Sequence, residues 1–412
     1  MKNSKQISRC QICNSKDLKS ILFLGYLPPV NNFKKINEEI KEQPSYPAEL
    51  FFCNRCKLVQ LSTVVDQKIL FPFEYPYTSS TTKILRENFA ELHNSIKSEF
   101  DFTKKDLIID VGSNDGNLLS NFKKDFRILG VTPEKIGNIA IKRGIPTLIK
   151  YFNLKTANYI FKKFGKAKIV TATNVFAHMD KLKEIINSVK ICLDSRGIFV
   201  TESHYLIPLL RDIQYDTVYH EHLRYYSLTS LNYLFKKNNL EIFDAKEIPT
   251  HGGSIRVFCS RIGRYSVTRR VKEIYKYEKK FLNYKYLSNF NFRVVSSKLN
   301  LIKILSNIKN KEKKSVIAGV SAPSRSATLI NYVGLNEGII KFILEIKGSH
   351  KIDCYMPGTK IPVIKESKEI LKKTNYLILF SWHIAKELIK NLRNRGFKGK
   401  FIIPLPKPKI VN

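Results

Sequence analysis

The chain has 412 residues, enough for two or three domains with separate cores, and its 43% hydrophobic content argues against extensive disorder. No apolar run reaches the roughly 18–20 residues that span a bilayer, and the start MKNSKQISRCQIC lacks the apolar segment of a signal peptide, so a cytoplasmic protein without membrane association is expected. The net charge of +36 is mostly Lys and is spread along the chain; a nucleic-acid footprint would be clustered, so no nucleic-acid partner is expected, though the charge favours a diphosphate-bearing substrate by steering.

Residues 1–70 carry two cysteine pairs, Cys10 with Cys13 and Cys53 with Cys56. Each CxxC turn can place two sulfurs on one metal, so the four predict a tetrahedral zinc site with an inserted loop between the pairs. Four protein ligands leave no open position, which makes the metal structural. Cys192, Cys259 and Cys354 are isolated in apolar or strand-like surroundings and read as small core residues.

From 71 to 265 strand and helix patterns alternate. Strands are predicted at 107–111, 128–131, 169–173, 198–201, 240–243 and 255–259, with an amphipathic helix over 181–192. Such alternation predicts a doubly wound α/β domain with a mainly parallel sheet. Residues 266–314 read as a helical connector. A second α/β unit, over 315–412, has predicted strands at 316–320, 342–346, 376–380 and 401–403, about half of a dinucleotide-binding domain.

Two segments carry chemistry. In LIIDVGSNDGNLL a buried strand ends at Asp110 and enters a turn with Gly112, Asn114, Asp115 and Gly116, where a helix begins. Glycines there let backbone amides approach a ligand at the carboxyl end of the strand. The segment Tyr219-His220-Glu221-His222 brings acid, base and phenol types into one turn of chain. It lacks the HExxH spacing of a zinc protease. His178 and Asn174 lie in a loop after the strand at 169–173, on the same ligand-binding edge.

With these residues in view the chain resembles, over essentially its whole length, the S-adenosylmethionine (SAM)-dependent sugar C-methyltransferases that act on nucleotide-linked 4-keto-deoxyhexoses. The resemblance rests on the CxxC pairs with LGYLPPVNNF between them, EYPYTSSTT, DVGSNDGNLL, ATNVFAHMDKL, YHEHLRYYSL, HGGSIRVF, GVSAPSRSATLINYVG and YMPGTKIPV. It implies a Rossmann-like methyltransferase domain flanked by an amino-terminal zinc module and a carboxy-terminal sugar-nucleotide domain, in a monomer. It implies methylation at carbon 3: His222 as general base, Glu221 as its neighbour in proton handling, Tyr219 as a hydrogen-bonder near the sugar, and His178 in the site. The cofactor would meet the Asp110–Gly116 turn and Asn174, with Tyr75 or Tyr77 as a lid.

Two departures stand out. Where the family has a G-x-E-P acid for the SAM ribose, this chain has Thr132, with Glu134 two residues on; either would make the contact. Where the family shows APAKGNT, this chain has 322–328 APSRSAT, which offers Ser324, Arg325 and Thr328 to the sugar nucleotide, Arg325 at the diphosphate. Rival readings are O- or N-methylation of a related sugar and nucleic-acid methylation. The latter usually needs a Pro-Pro turn where this chain has Thr173-Asn174-Val175-Phe176. A zinc-dependent assembly protein would not need the SAM loop and the histidines.

Overall fold

The computed structural model describes residues 3–39, 42–71 and 78–412. Its amino-terminal strands are β1 (Ser4–Gln6), β2 (Leu18–Leu27), β3 (Lys34–Lys35), β4 (Tyr46–Cys53), β5 (Val59–Leu61) and β6 (Thr63–Val65). The middle holds β7 (Leu107–Val111), β8 (Arg127–Thr132), β9 (Thr147–Ile149), β10 (Ala167–Thr173), β11 (Leu193–His204), β12 (Arg224–Tyr225), β13 (Leu240–Ile248) and β14 (Ser254–Arg261). The last region holds β15 (Ile317–Val320), β16 (Ile343–Glu345), β17 (Cys354–Tyr355), β18 (Pro362–Lys365), β19 (Tyr376–Leu379), β20 (Lys400–Ile403) and β21 (Lys409–Val411).

The central sheet runs β13-β14-β11-β10-β7-β8-β9. Helices cover its faces, and β7 is accordingly buried on both, with Asp110 the one polar residue among its five. The expectation of a mainly parallel sheet holds for β9, β8, β7, β10 and β11, while β14 runs antiparallel to both of its neighbours, β11 and β13. The link between β13 and β14 is a tight turn over 249–253, which can join only antiparallel strands. The predicted connector consists of two helices, Arg269–Glu278 and Tyr284–Lys311. The second buries Leu287, Phe290, Val294, Leu301, Leu305 and Ile308 at helical spacing.

The carboxy-terminal sheet is larger than the sequence suggests, with order β21-β20-β19-β15-β16-β18-β17-β3. Its last strand is borrowed from the amino-terminal region, Lys34 and Lys35 pairing with Tyr355 and Cys354. The loan runs the other way too: β12, from the central region, pairs with β5, so the amino-terminal sheet reads β12-β5-β4-β2. Strands this short carry no pattern a sequence reading can find. No helix among the described residues is long and apolar enough to cross a membrane. Cys192, Cys259 and Cys354 are buried, as their surroundings suggested.

Candidate active site

The four paired cysteines converge. Their Sγ atoms all lie within 4.8 Å of one another, and all four side chains are buried. The two turns are built alike. Cys10 N–H donates to Ser15 O and Cys53 N–H to Leu58 O, both at 2.8 Å. Asn14 N–H donates to Cys10 O and Lys57 N–H to Cys53 O, both at 2.9 Å, with Asn14 and Lys57 at φ of 63° and 60°. Two matched turns with converging thiols are the donor set of a closed, all-thiolate zinc site.

The second centre is the turn after β7. Gly112 and Gly116 adopt φ of 76° and 78°, and Asn114 adopts 50°. A Cβ on Gly112 would meet Val175 Cγ2 at 2.7 Å, so its nearest constraint is packing against the loop after β10. Asp110 accepts from Thr171 Oγ1 at 2.6 Å, and burial lifts its carboxyl to about 7. Asn114 Oδ1 accepts from Ser79 N–H at 3.0 Å. Asp115, expected at the cofactor, is fully buried and accepts from Ser79 Oγ at 2.6 Å and Arg143 Nη1 at 3.0 Å, so it braces the turn from beneath. Thr132 is buried and its hydroxyl donates to Glu134, which is partly exposed. Asn174 adopts φ of 56°, and its Nδ2 is buried without a hydrogen-bond partner. Two glycines in the left-handed region and an orphaned amide at the carboxyl edge of the sheet fit a polar ligand such as SAM. Tyr75 and Tyr77 fall outside the described residues.

The loop carrying Asn174 and Val175 continues to His178, where a cluster of imidazoles begins. His178 Nδ1 donates to Glu221 O at 2.6 Å, and its ring lies 5.0 Å from that of His222. His222 Nδ1 faces Thr217 O at 3.0 Å. A carbonyl only accepts, so Nδ1 carries the proton and Nε2 keeps the lone pair. Tyr219 stacks obliquely on His222 with centroids 4.2 Å apart, and burial holds its phenol well above the ordinary value. Glu221 Oε1 accepts from Asn31 Nδ2 at 2.8 Å, and its carboxylate also acts on Lys351. His220 points away, with Nε2 on Pro47 O at 3.2 Å and its ring against Tyr46.

Three further histidines complete the cleft: His204 at the end of β11, His251 before β14, and His383 from the last region. Burial lowers His204 to about 3 and His251 to about 4, with Arg325 reinforcing both. His383 and His222 are pushed well below the ordinary value by burial, then by cationic or imidazole neighbours. His178 is lowered by burial as well.

Arg325 sits differently from the phosphate clamp the sequence suggests. It is 7% exposed, donates to His383 Nδ1 and His251 O at 3.0 Å, and lies 3.7 Å from Asp216. Asp216 also accepts from Trp382 Nε1 at 2.8 Å. This buried ion pair clasps the last region onto the turn that holds His222. Ser324 donates to Asn31 Oδ1 at 3.2 Å, at the same seam as Glu221. Thr328 is buried, with its hydroxyl unpartnered.

Sequence reasoning gave no role to Asn31, His204, Asp216, His251, Lys351 or His383. PPVNNF and HGGSIRVF stood among the matched segments, which was a usable signal for Asn31 and His251. His204, Asp216, Lys351 and His383 reach the cleft only through the tertiary fold.

Three family models match in succession: a zinc binding domain over residues 10–71, a methyltransferase domain over 84–245, and a C-methyltransferase C-terminal domain over 249–406. C-methyltransferase NovU of Streptomyces niveus is 28% identical over 423 aligned positions, covering 99% of this chain and 98% of its own. Among solved structures, a SAM-dependent methyltransferase from Anabaena variabilis is 16% identical, covering 43% of this chain and 85% of its own, with a TM-score of 0.35. One from Clostridium acetobutylicum is 14% identical, covering 45% and 94%, with a TM-score of 0.34.

Proposed function

Since the chain is a SAM-dependent methyltransferase with the three-part architecture of the C-methyltransferases, we propose that it methylates carbon 3 of a nucleotide-linked 4-keto-deoxysugar in the cleft between its three regions. The observation that carries this reading is His222. Its Nδ1–H is committed to Thr217 O, leaving Nε2 as the lone-pair nitrogen beside Tyr219 and His178, on the edge of the sheet that bears the glycine turn.

Methylating a sugar carbon requires removal of a proton next to a ketone. Nε2 of neutral His222 accepts that proton, and the electron pair moves to the ketone oxygen as an enolate. The surroundings keep His222 neutral at working pH, and the negative charge growing beside it strengthens it as a base in the transition state. Tyr219, held as a phenol, can donate to the enolate oxygen. His178 is oriented by Glu221 O and flanks the base. The Asp110–Gly116 turn, Asn174 and the Thr132–Glu134 pair would hold SAM, which when bound would supply an electrophilic methyl group to the enolate carbon and leave as the neutral thioether S-adenosylhomocysteine. Arg325 and Ser324 secure the last region, which covers the nucleotide, and the carboxylate of Glu221 meets Asn31 and Lys351 at this seam.

The test is mass spectrometry of a panel of nucleotide 4-keto-deoxysugars incubated with SAM, with the methyl position fixed by NMR. One added methyl on carbon 3 is expected. A methyl on oxygen or nitrogen would overturn the carbon assignment.

A further inference from the structure

His204 closes β11 on the cleft wall and takes no part in the proton transfer described above. Its Nε2 lies 3.1 Å from Gln214 Oε1, and Gln214 Nε2 donates to Gly252 O at 2.7 Å. The second contact fixes the amide's orientation, because a carbonyl can receive only from the NH₂ end. Gln214 therefore presents its oxygen to His204, the imidazole proton sits on Nε2, and Nδ1 carries the lone pair. The His-Gly-Gly turn before β14 is shaped around this amide: Gly252 adopts φ of 90°, and a Cβ there would come 2.9 Å from Gln214 Oε1.

Nδ1 of His204 is buried with no hydrogen-bond partner. An acceptor left that way is costly, and a fold that builds a relay to aim it has a use for it. The ring lies nearly parallel to that of His222, with centroids 6.4 Å apart at 15°. The two rings thus offer two acceptors with opposite tautomers, Nε2 on His222 and Nδ1 on His204. Because burial and Arg325 keep His204 neutral, its acceptor persists across the working pH range.

We propose that His204 is a specificity-determining residue whose Nδ1 accepts a hydrogen bond from a hydroxyl of the sugar ring, while His222 takes the proton from carbon. This rests on the reading of the substrate as a nucleotide-linked keto sugar. A site built around such an acceptor discriminates strongly, since a sugar lacking the hydroxyl leaves the nitrogen buried and unpaired.

The experiment uses the full chain and a nucleotide 4-keto-deoxysugar that the wild type methylates. His204→Leu removes the acceptor, and His204→Asn keeps a short polar group there. The leucine variant should raise KM for the sugar nucleotide at least tenfold, leave the SAM Kd unchanged, and still exchange the sugar's α-hydrogen with deuterated water at saturating substrate. The asparagine variant should recover most of the affinity with an unaltered pH profile. An unchanged KM in His204→Leu overturns the assignment, as does a parallel loss of SAM affinity, which would mark a structural role at the end of β11. Loss of exchange would make His204 a base and overturn it too. If the wild type methylates no keto sugar at all, the substrate reading falls first and this inference with it.

Discussion

Two clusters of metal-ligand residue types lie in this molecule, and they behave in opposite ways. The four cysteine sulfurs fall within 4.8 Å of one another, whereas among the described residues no three imidazoles bring their ring nitrogens together in a comparable group. In the cleft, ring nitrogens are spent on protein: Thr217 O for His222, Glu221 O for His178, Gln214 for His204 and Arg325 for His383. Thiols that converge make an ion site; imidazoles that each lean on a separate protein partner do not. The lesson is that partners, more than residue types, separate a structural metal centre from a reaction site.

Breaking the metal centre should have the largest effect. The module does more than fold itself, because β12 pairs with β5 and Leu61 N–H donates to Leu223 O at 3.0 Å, one residue past His222. Asn31 holds Glu221 from the same side. Cys53→Ser should therefore lose the zinc, expected at about one equivalent per chain in the wild type, and abolish methyl transfer through disorder of the turn at 219–222. Metal analysis and activity are read on the same sample. Full activity without zinc would dissociate the two regions.

Next in size is the proposed base. His222→Asn should leave SAM binding intact and lower kcat by roughly 10²–10⁴-fold, the usual span for loss of a general base. It should also stop exchange of the substrate's α-hydrogen with deuterated water. Glu221→Gln tests the rival, a carboxylate on the same turn that is already engaged by Asn31 and Lys351. Loss of exchange in Glu221→Gln but not in His222→Asn would make Glu221 the base.

These two outcomes also measure what a sequence can say. The zinc site was legible because each half lies within four residues, and local spacing survives folding. The glycine turn and β7, β8, β10 and β11 were legible for a similar reason, a buried apolar run followed by a turn. The imidazole chamber was only partly so. His178 and His222 came with their motifs, but His204 and His383 are 179 residues apart and meet through the sheet and the clasp of Arg325 on Asp216. Arg325 shows another limit: its contacts to Asp216 and His383 join residues far apart in the chain, which no motif spacing reveals. Gly112 is similar: the need for glycine was visible, but its collision with Val175 was not.

A smaller effect separates the clusters by acid. His204, His220 and His251 are neutral in the fold, at about 3, 4 and 4, against about 6.5 in an unfolded chain. Below pH 6.5 the unfolded chain therefore binds more protons, and stability present above that pH is lost as pH falls. Each group costs about 1.4 kcal/mol per unit, or roughly 2 kcal/mol by pH 5. Asp110, lifted to about 7, works in the opposite sense and offsets about one of the three, since the folded state gains its proton first on the same descent. Thermal melts from pH 7 to 5, with zinc content monitored, should show a falling Tm that flattens in His251→Asn. A fall that tracks zinc release alone would assign the acid lability to the cysteines.

The smallest effect concerns a local pair that the sequence left undecided. Thr132 is 1% exposed and spends its hydroxyl on Glu134, whose carboxylate keeps partial access at the carboxyl edge of β8. A buried donor that aims a carboxylate is placed to orient it, while the carboxylate makes the charge-assisted contact with a ribose. Glu134→Gln should then weaken SAM binding about tenfold, and Thr132→Val, which removes only the hydrogen bond that orients the carboxylate, about threefold, near 0.7 kcal/mol. Calorimetry with SAM alone reads both, independent of any sugar. A Thr132→Val loss larger than that of Glu134→Gln would place the threonine itself on the ribose, and would mean that here, unlike at the cysteines, proximity in sequence misleads about which residue holds the ligand.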